Sequence, residues 1–575
     1  MSRVRILAIG FMVFYALLFL GLFKMQIIDY AHFHKLSEKN RVRPIILEAP
    51  RGIISDRNGQ TIVSNRLSFD CYILPRAIDL LSDAFGELSF LLSTDIEVLR
   101  KNYKKNTWSP FRPVLIAQDI SKENAIRIEE SSDELAGVFI KTSPVREYHL
   151  GSAMAHVTGY VGAINAGEYK QMKTYGYRRQ DQMGRAGVEK TYDSYLRGKH
   201  GAQQFEVDNR GRLLRVLRIQ EQERGESIEL TIDAELQQLA QRLLGGRKGA
   251  ITMMELTHGG IISMFSGPSY DPNVFVTPLQ NSKSIRDILT DKKHRLMNRA
   301  VAGVYPPGST YKIISALAAL EAGKVNTKTQ FFCPGVFSLG GFRFKCWYKE
   351  GHGAQNIYQS LEHSCNIFFY NAGLKTGVRI IEKMSKKFGL GQKTGIDLPQ
   401  ENAGLLPGPS WKRSTMKKSW YAGETVNLSI GQGYLLTTPL QMVLTAAAIA
   451  TGGTLFKPFV VSRISDVDVS PKSPQSIDVS KKSMDIIKEG MRLVVESKTG
   501  TGQRVKNPVV RIAGKTGTAQ APHGDDHAWF IGYAPIDNPQ AAISVVVENG
   551  GGGGVVAAPI AKELFEYMQT HGYFV

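Results

Sequence analysis

A serine three residues ahead of a lysine, at the mouth of a helix, is poised for acyl transfer. In VYPPGSTYKIISALAALEAG (Val304 to Gly323), Pro306, Pro307 and Gly308 interrupt regular structure and Ser309 opens helical text. Lys312 then shares a helical face with Ser309. A hydroxyl is a poor nucleophile until a base takes its proton. A lysine can be that base when its amine is neutral, and burial, a helix N-terminus or a second cation pushes it that way. Backbone N–H groups at the same helix start can face an oxyanion.

The pattern S-x-x-K is weak alone. Ser414-Thr415-Met416-Lys417 matches it too, in a polar stretch without the Pro-Gly entry, and reads as chance. Two further elements carry more weight. Ser364-Cys365-Asn366 forms S-x-N, followed by the apolar Ile367-Phe368-Phe369-Tyr370. Lys515-Thr516-Gly517-Thr518 forms K-T-G-T after the apolar run Val509 to Ala513, which reads as an edge strand beside a cleft. Lys498-Thr499-Gly500-Thr501 has the same letters between polar residues, with no strand before it, and reads as a decoy. The three elements follow in order at intervals of 55 and 151 residues. Three ordered matches in fitting contexts make one constellation.

A second chemistry overlaps the first. Cys333, Cys346, His352 and Cys365 are spaced C-x12-C-x5-H-x12-C around the S-x-N element. Three thiolates and an imidazole suit a closed tetrahedral structural zinc site. If Ser364 and Asn366 face the cleft, Cys365 points behind it, and a metal there would brace the loop carrying both. Alternatively, Cys333 and Cys346 close a disulfide with Cys365 a buried spectator, or all three stay free thiols. Cys71, far from the others, reads as a small buried apolar residue.

These residues need elements to hold them. From about residue 30 to 225 the text is mixed and interrupted. Within it, APRGIISDRNGQTIVSN (Ala49 to Asn65) reads as a hairpin around an Asn-Gly turn. AHVTGYVG and GRAGVEKTYDSYLRGKHG read as glycine turns and short capped helices. A boundary falls near Ser227. Beyond it come a short strand from Ile228, a helix over Ala234 to Leu244, and a hairpin of Gly249 to Met254 with Ile261 to Phe265. Strands over Val509 to Ala513, Ala528 to Tyr533 and Ala541 to Glu548 follow late, then a helix over Ala558 to Met568. This predicts an α+β sheet flanked by helices drawn from both ends of the segment.

The chain carries 71 Lys and Arg against 52 Asp and Glu, a formal charge of +19. Nucleic acid, anionic lipid and an acidic polymer are the candidate partners for such charge. Without zinc-finger spacing, an RNA-binding aromatic motif or a basic helix, nucleic acid is set aside. Ile6 to Phe23 runs 18 residues without a charge behind Arg3 and Arg5. As a helix that run spans about 27 Å, close to a bilayer core. Its end lacks an A-x-A cleavage pattern, so it reads as an uncleaved anchor, with the arginines inside and the rest of the chain outside.

Taken together the motifs resemble those of class B penicillin-binding proteins, and within them the elongation type, penicillin-binding protein 2. RGIISDRNG and GVEKTYDSYLRGKHG resemble the pedestal motifs, and LTID the start of the transpeptidase domain. NLSIGQGYLLTTPLQM, RIAGKTGTAQ, HAWFIGYAP and VENGGGGG resemble later blocks, and QQFEVDNRGRLLR favours the elongation over the septal type. The resemblance implies a cytoplasmic stub (1–5), a transmembrane anchor (6–26), a pedestal (27–227) and a serine β-lactamase-like transpeptidase domain (228–575). It implies peptidoglycan cross-linking during cell elongation from the inner membrane, with the bulk of the chain in the periplasm.

By the same resemblance Ser309 attacks the penultimate D-alanine carbonyl of a stem pentapeptide and Lys312 is the base. Ser364 relays a proton to the leaving group, and Asn366 holds the substrate amide. Lys515 adds positive potential, Thr516 and Thr518 bind the terminal carboxylate, and the N–H of Thr518, beyond Gly517, completes the oxyanion hole. Catalysis needs no cofactor. Some elongation-type members hold zinc with two aspartates, a histidine and the S-x-N cysteine; here Cys333 and Cys346 stand where the aspartates would be. Expected partners are stem peptides, β-lactams, the lipid bilayer, a RodA-type membrane glycosyltransferase and other elongation-complex proteins. A membrane-bound β-lactamase and a non-catalytic β-lactam sensor or scaffold are the rival readings.

Overall fold

The computed structural model describes residues 3–75, 84–107, 113–131, 135, 137–179, 181–207 and 213–574. Arg3–Phe23 is one α-helix, extended by a wider turn over Lys24–Ile28, with no buried residue. It is the one helix among the described residues long and apolar enough to cross a membrane. Exposed Leu, Ile and Phe all round a helix suit an apolar solvent.

The middle region is built on a long hairpin-like pairing of Thr61–Ile73 with Val138–Tyr148, in register from Val63↔Tyr148 to Ile73↔Val138. Cys71 lies fully buried there, its thiol pushed up to about 12, chiefly by burial. The Asp-Arg-Asn-Gly turn has a tertiary task. The Asp56 carboxylate accepts from Asn58 N (2.9 Å) and Gln60 N (2.8 Å), and also from Ala234 N (3.2 Å), at the start of the first helix beyond Ser227. Ile228–Leu230 pairs in parallel with Ile54–Ser55 and antiparallel with Val461–Ile464, so one sheet runs through the join between the middle and C-terminal regions.

Behind this join lies a buried charge cluster. The Arg51 guanidinium reaches both Glu189 and Asp193 at 2.7 Å, and Arg146 reaches the other Glu189 oxygen at 2.6 Å. Burial alone would push the Glu189 carboxyl up. The two guanidiniums outweigh it and hold that carboxyl below its ordinary value.

The C-terminal region centres on five antiparallel strands: β1 (Gly249–Glu255), β2 (Ile261–Gly267), β3 (Ala513–Ala519), β4 (His527–Ala534) and β5 (Ala541–Val547), ordered β2-β1-β5-β4-β3. Nearly all of their residues are buried because both faces are covered. α1 (Ala234–Leu244) meets β2 and a long C-terminal helix on one side, and Pro439–Ala450 packs on β1, β4 and β5 on the other. Two expectations shift. The strand expected over Val509 to Ala513 begins only at Ala513 and carries K-T-G-T within it. Asn507 Oδ1 accepts from Val509 N (2.7 Å) and Val510 N (3.3 Å), bending those residues into a turn. The C-terminal helix spans Gly553–Thr570 rather than starting at Ala558, because packing on the sheet overrides the low helix propensity of its first glycines.

Candidate active site

Ser309 does not sit in an α-helix but in a 3-10 turn, Gly308–Tyr311, which runs into α2 (Lys312–Glu321). Gly308 has φ +55°, and a Cβ there would stand 2.8 Å from the Thr518 carbonyl oxygen. Glycine is therefore required for the nucleophile turn to press against β3. The turn is tied further by Gly308 N to Gly431 O (2.9 Å) and by the Tyr311 hydroxyl to Ser385 (2.6 Å). Ser309 is partly exposed, and its hydroxyl has no hydrogen-bond partner among the described residues.

Lys312 is fully buried. Its Nζ donates to Ser364 O (2.7 Å), Ser364 Oγ (3.1 Å) and Asn366 Oδ1 (2.7 Å). From the opposite wall the equally buried Lys515 Nζ reaches the same Ser364 Oγ at 3.0 Å and Thr516 O at 3.0 Å. Burial lowers the Lys312 amine to about 8. Burial and then the charge of Lys312 drive Lys515 well below its ordinary value. Burial thus shifts both amines toward the neutral form that a general base needs.

Ser364, between them, has φ +53° while almost wholly buried. A non-glycine residue held left-handed stores strain, and such residues cluster at functional sites. Its neighbours hold it. Cys365 N donates to Ser360 O (2.9 Å), α3 (Asn366–Thr376) starts at once, and Asn366 Nδ2 donates to Lys345 O (3.2 Å).

On β3, Thr518 is exposed, Gly517 lies against Thr310 and Pro307, and Thr516 is buried. The Thr516 hydroxyl has one partner among the described residues, the hydroxyl of Thr501 at 2.8 Å. The second K-T-G-T, taken as a decoy, thus lies against the first. The signal was the repeated motif itself, which local context could not interpret. Ser414, the other chance match, stays on its own helix, donating to Trp411 O (2.9 Å).

The ligand atoms of Cys333, Cys346, His352 and Cys365 all lie within 4.8 Å of one another, and the three cysteines are buried and unbridged. His352 Nδ1 is 3.6 Å from Cys333 Sγ and 3.5 Å from Cys346 Sγ. With ordinary zinc bond lengths, tetrahedral coordination separates an imidazole nitrogen from a thiolate by about 3.6 Å, so the donor set fits zinc in type and spacing.

Residues 249–566 match the penicillin binding protein transpeptidase domain, and residues 46–230 match the penicillin-binding protein dimerisation domain. The chain belongs to the penicillin-binding protein transpeptidase family. Among penicillin-binding proteins, it is 35% identical to the peptidoglycan D,D-transpeptidase MrdA of Acinetobacter baumannii, over 94% of this chain and 84% of that one. Its structure is similar to penicillin-binding protein 2 in the complex with MreC from Helicobacter pylori. The TM-score is 0.83 at 28% identity, covering 93% of this chain and 100% of that one. A chain of a peptidoglycan synthase complex that coordinates polymerization and crosslinking matches with TM-score 0.75 and 30% identity, covering 100% and 99%.

Proposed function

We propose that this penicillin-binding protein is a peptidoglycan D,D-transpeptidase of cell elongation. The observation that carries the reading is the buried bridge Lys312–Ser364–Lys515 behind a partly exposed Ser309. Ser309 Oγ attacks the penultimate D-alanine carbonyl and its proton passes to Lys312. The oxyanion faces the N–H groups of Ser309 and Thr518. As the tetrahedral centre collapses, the C–N bond breaks and Ser364, fed by the lysines it bridges, protonates the departing D-alanine. The amine of a neighbouring stem then attacks the acyl-enzyme, and Ser309 regains its proton. Asn366 holds the substrate amide, and Thr516, Thr518 and Lys515 receive the terminal carboxylate, whose charge favours the protonated form of Lys515.

The Cys333–Cys346–His352–Cys365 cluster is read as a structural zinc site. Bound there, zinc would supply a fixed cross-link and no chemistry on the substrate. Cys365 sits between Ser364 and Asn366, so the cluster braces the loop that presents both. Arg3 and Arg5 ahead of the apolar helix support a single-pass anchor with the catalytic region on the outer face of the cytoplasmic membrane. Likeness to chains assembled with MreC and in a peptidoglycan synthase supports elongation-complex partners; a RodA-type glycosyltransferase is the partner proposed for glycan polymerisation.

Labelling by a fluorescent penicillin, followed over hours, tests the assignment. A transpeptidase keeps the label. Clearance would indicate a β-lactamase, and absence of labelling a scaffold or a sensor whose site does not react.

A further inference from the structure

Thr501 lies outside the three motifs, yet the fold takes trouble to hold it. It follows α4 (Lys481–Glu496) in the loop 497–502. Glu362, two residues before Ser364, organises that loop. Its carboxylate accepts from Ser497 Oγ (2.5 Å) and from the Thr499 hydroxyl, and its carbonyl accepts from Thr501 N (3.3 Å). Gly502 N closes the loop onto Val494 O at 2.8 Å. At Gly500 a Cβ would collide with that same Val494 carbonyl. The loop is therefore tied to the S-x-N element on one side, and it delivers a single hydroxyl, that of Thr501, to Thr516 on the other.

Each of these two hydroxyls has the other as its one hydrogen-bond partner among the described residues. A hydroxyl carries one proton, so two hydroxyls sharing one bond leave one proton unused. If Thr501 donates, the free proton is on Thr516. If Thr516 donates, it is on Thr501. An approaching carboxylate accepts only, so it selects a relay in which one threonine donates to the other and the second donates to the carboxylate. Such chained donors polarise one another. We propose that Thr501 is a positioning residue for the terminal carboxylate of the substrate, acting through the hydroxyl of Thr516. This rests on the reading of Thr516 as a carboxylate ligand.

The full-length chain in detergent tests it, with benzylpenicillin as the carboxylate-bearing probe and its methyl ester as the blocked one. Thr501→Val is expected to slow acylation by benzylpenicillin about tenfold, the scale of one hydrogen bond to a charged group. It should leave acylation by the ester unchanged, and Thr501→Ser should restore the rate with the acid. Thr501→Val added to Thr516→Val should cost nothing further, because both act through one bond. Acylation by the ester also reports folding, since it needs an intact Ser309–Lys312 pair. Equal slowing of acid and ester by Thr501→Val would overturn the proposal in favour of a purely structural role. A wild-type rate with benzylpenicillin in Thr501→Val, beside a slow Thr516→Val, would refute the relay and leave the reading of Thr516 standing. A wild-type rate in Thr516→Val would refute that reading, and the relay with it.

Discussion

Ser309 and Lys312 divide the work of activation. Their types and spacing were legible because S-x-x-K needs only one helical turn. What the spacing did not reveal is where the lysine points. Its amine bonds Ser364 and Asn366, and the Ser309 hydroxyl has no hydrogen-bond partner among the described residues. Substituting Ser309 by Ala should abolish covalent penicillin labelling with a change in melting temperature of no more than a degree or two, since a lone, partly exposed hydroxyl contributes little stability. Ser414→Ala should label normally; label mapped to Ser414 would refute the assignment. The pH dependence follows from the lowered Lys312 amine. The active form is neutral, so the acylation rate should rise with pH through about 8 and level off above it. Lys312→Arg, charged at every accessible pH, should lose roughly 10²–10⁴-fold in acylation rate. A flat rate profile between pH 6 and 10 would exclude Lys312 as the base.

At the scale of elements, the segment from Cys333 to Asn366 is a scaffold for two atoms, Ser364 Oγ and Asn366 Oδ1. Short strands and turns carry Cys333, Cys346 and His352, and none of them alone could fix a left-handed Ser364. A metal joining them to Cys365, as proposed, would replace the packing that short elements lack. Protein purified without chelator should contain about one zinc per chain by elemental analysis. Cys365→Ser should lose the metal and acylate about 10²-fold more slowly, the cost of misplacing a catalytic group by an ångström or so. Zinc-free protein with a mass two hydrogens below the fully reduced value would instead establish a Cys333–Cys346 disulfide. The cysteine spacing named all four candidates, but a spacing of thirteen residues says nothing about whether two sulfurs face each other.

At the scale of the whole molecule, Glu189 holds together the part of the pedestal that leads into its join with the catalytic region. It neutralises two guanidiniums at once, one of them in the segment that leads into the sheet shared by both regions. Glu189→Gln should destabilise the chain by about 3–5 kcal/mol in denaturant unfolding, because it leaves buried charge uncompensated. The sign with pH is set by the depressed carboxyl. Its stabilisation is present above the unfolded-state value and is lost as pH falls through the folded-state value, so the wild type should weaken on acidification and Glu189→Gln should weaken less. Identical acid profiles for the two proteins would remove Glu189 from that role.

The amino-acid sequence alone determined what is encoded within one element: the apolar anchor, the Pro-Gly entry that opens at Ser309, the three motifs themselves and the set of metal-ligand types. Each is a short pattern whose period or turn chemistry survives without neighbours. Tertiary structure alone decided the rest. It set K-T-G-T inside its strand rather than after it, turned Lys312 toward Ser364, and brought Thr501 from a supposed decoy to within 2.8 Å of Thr516. Those outcomes depend on which strand edge meets which loop, a relation between segments fifteen to 151 residues apart. Closure of such contacts is driven by burial of the sheet and its helices, and no local propensity records it.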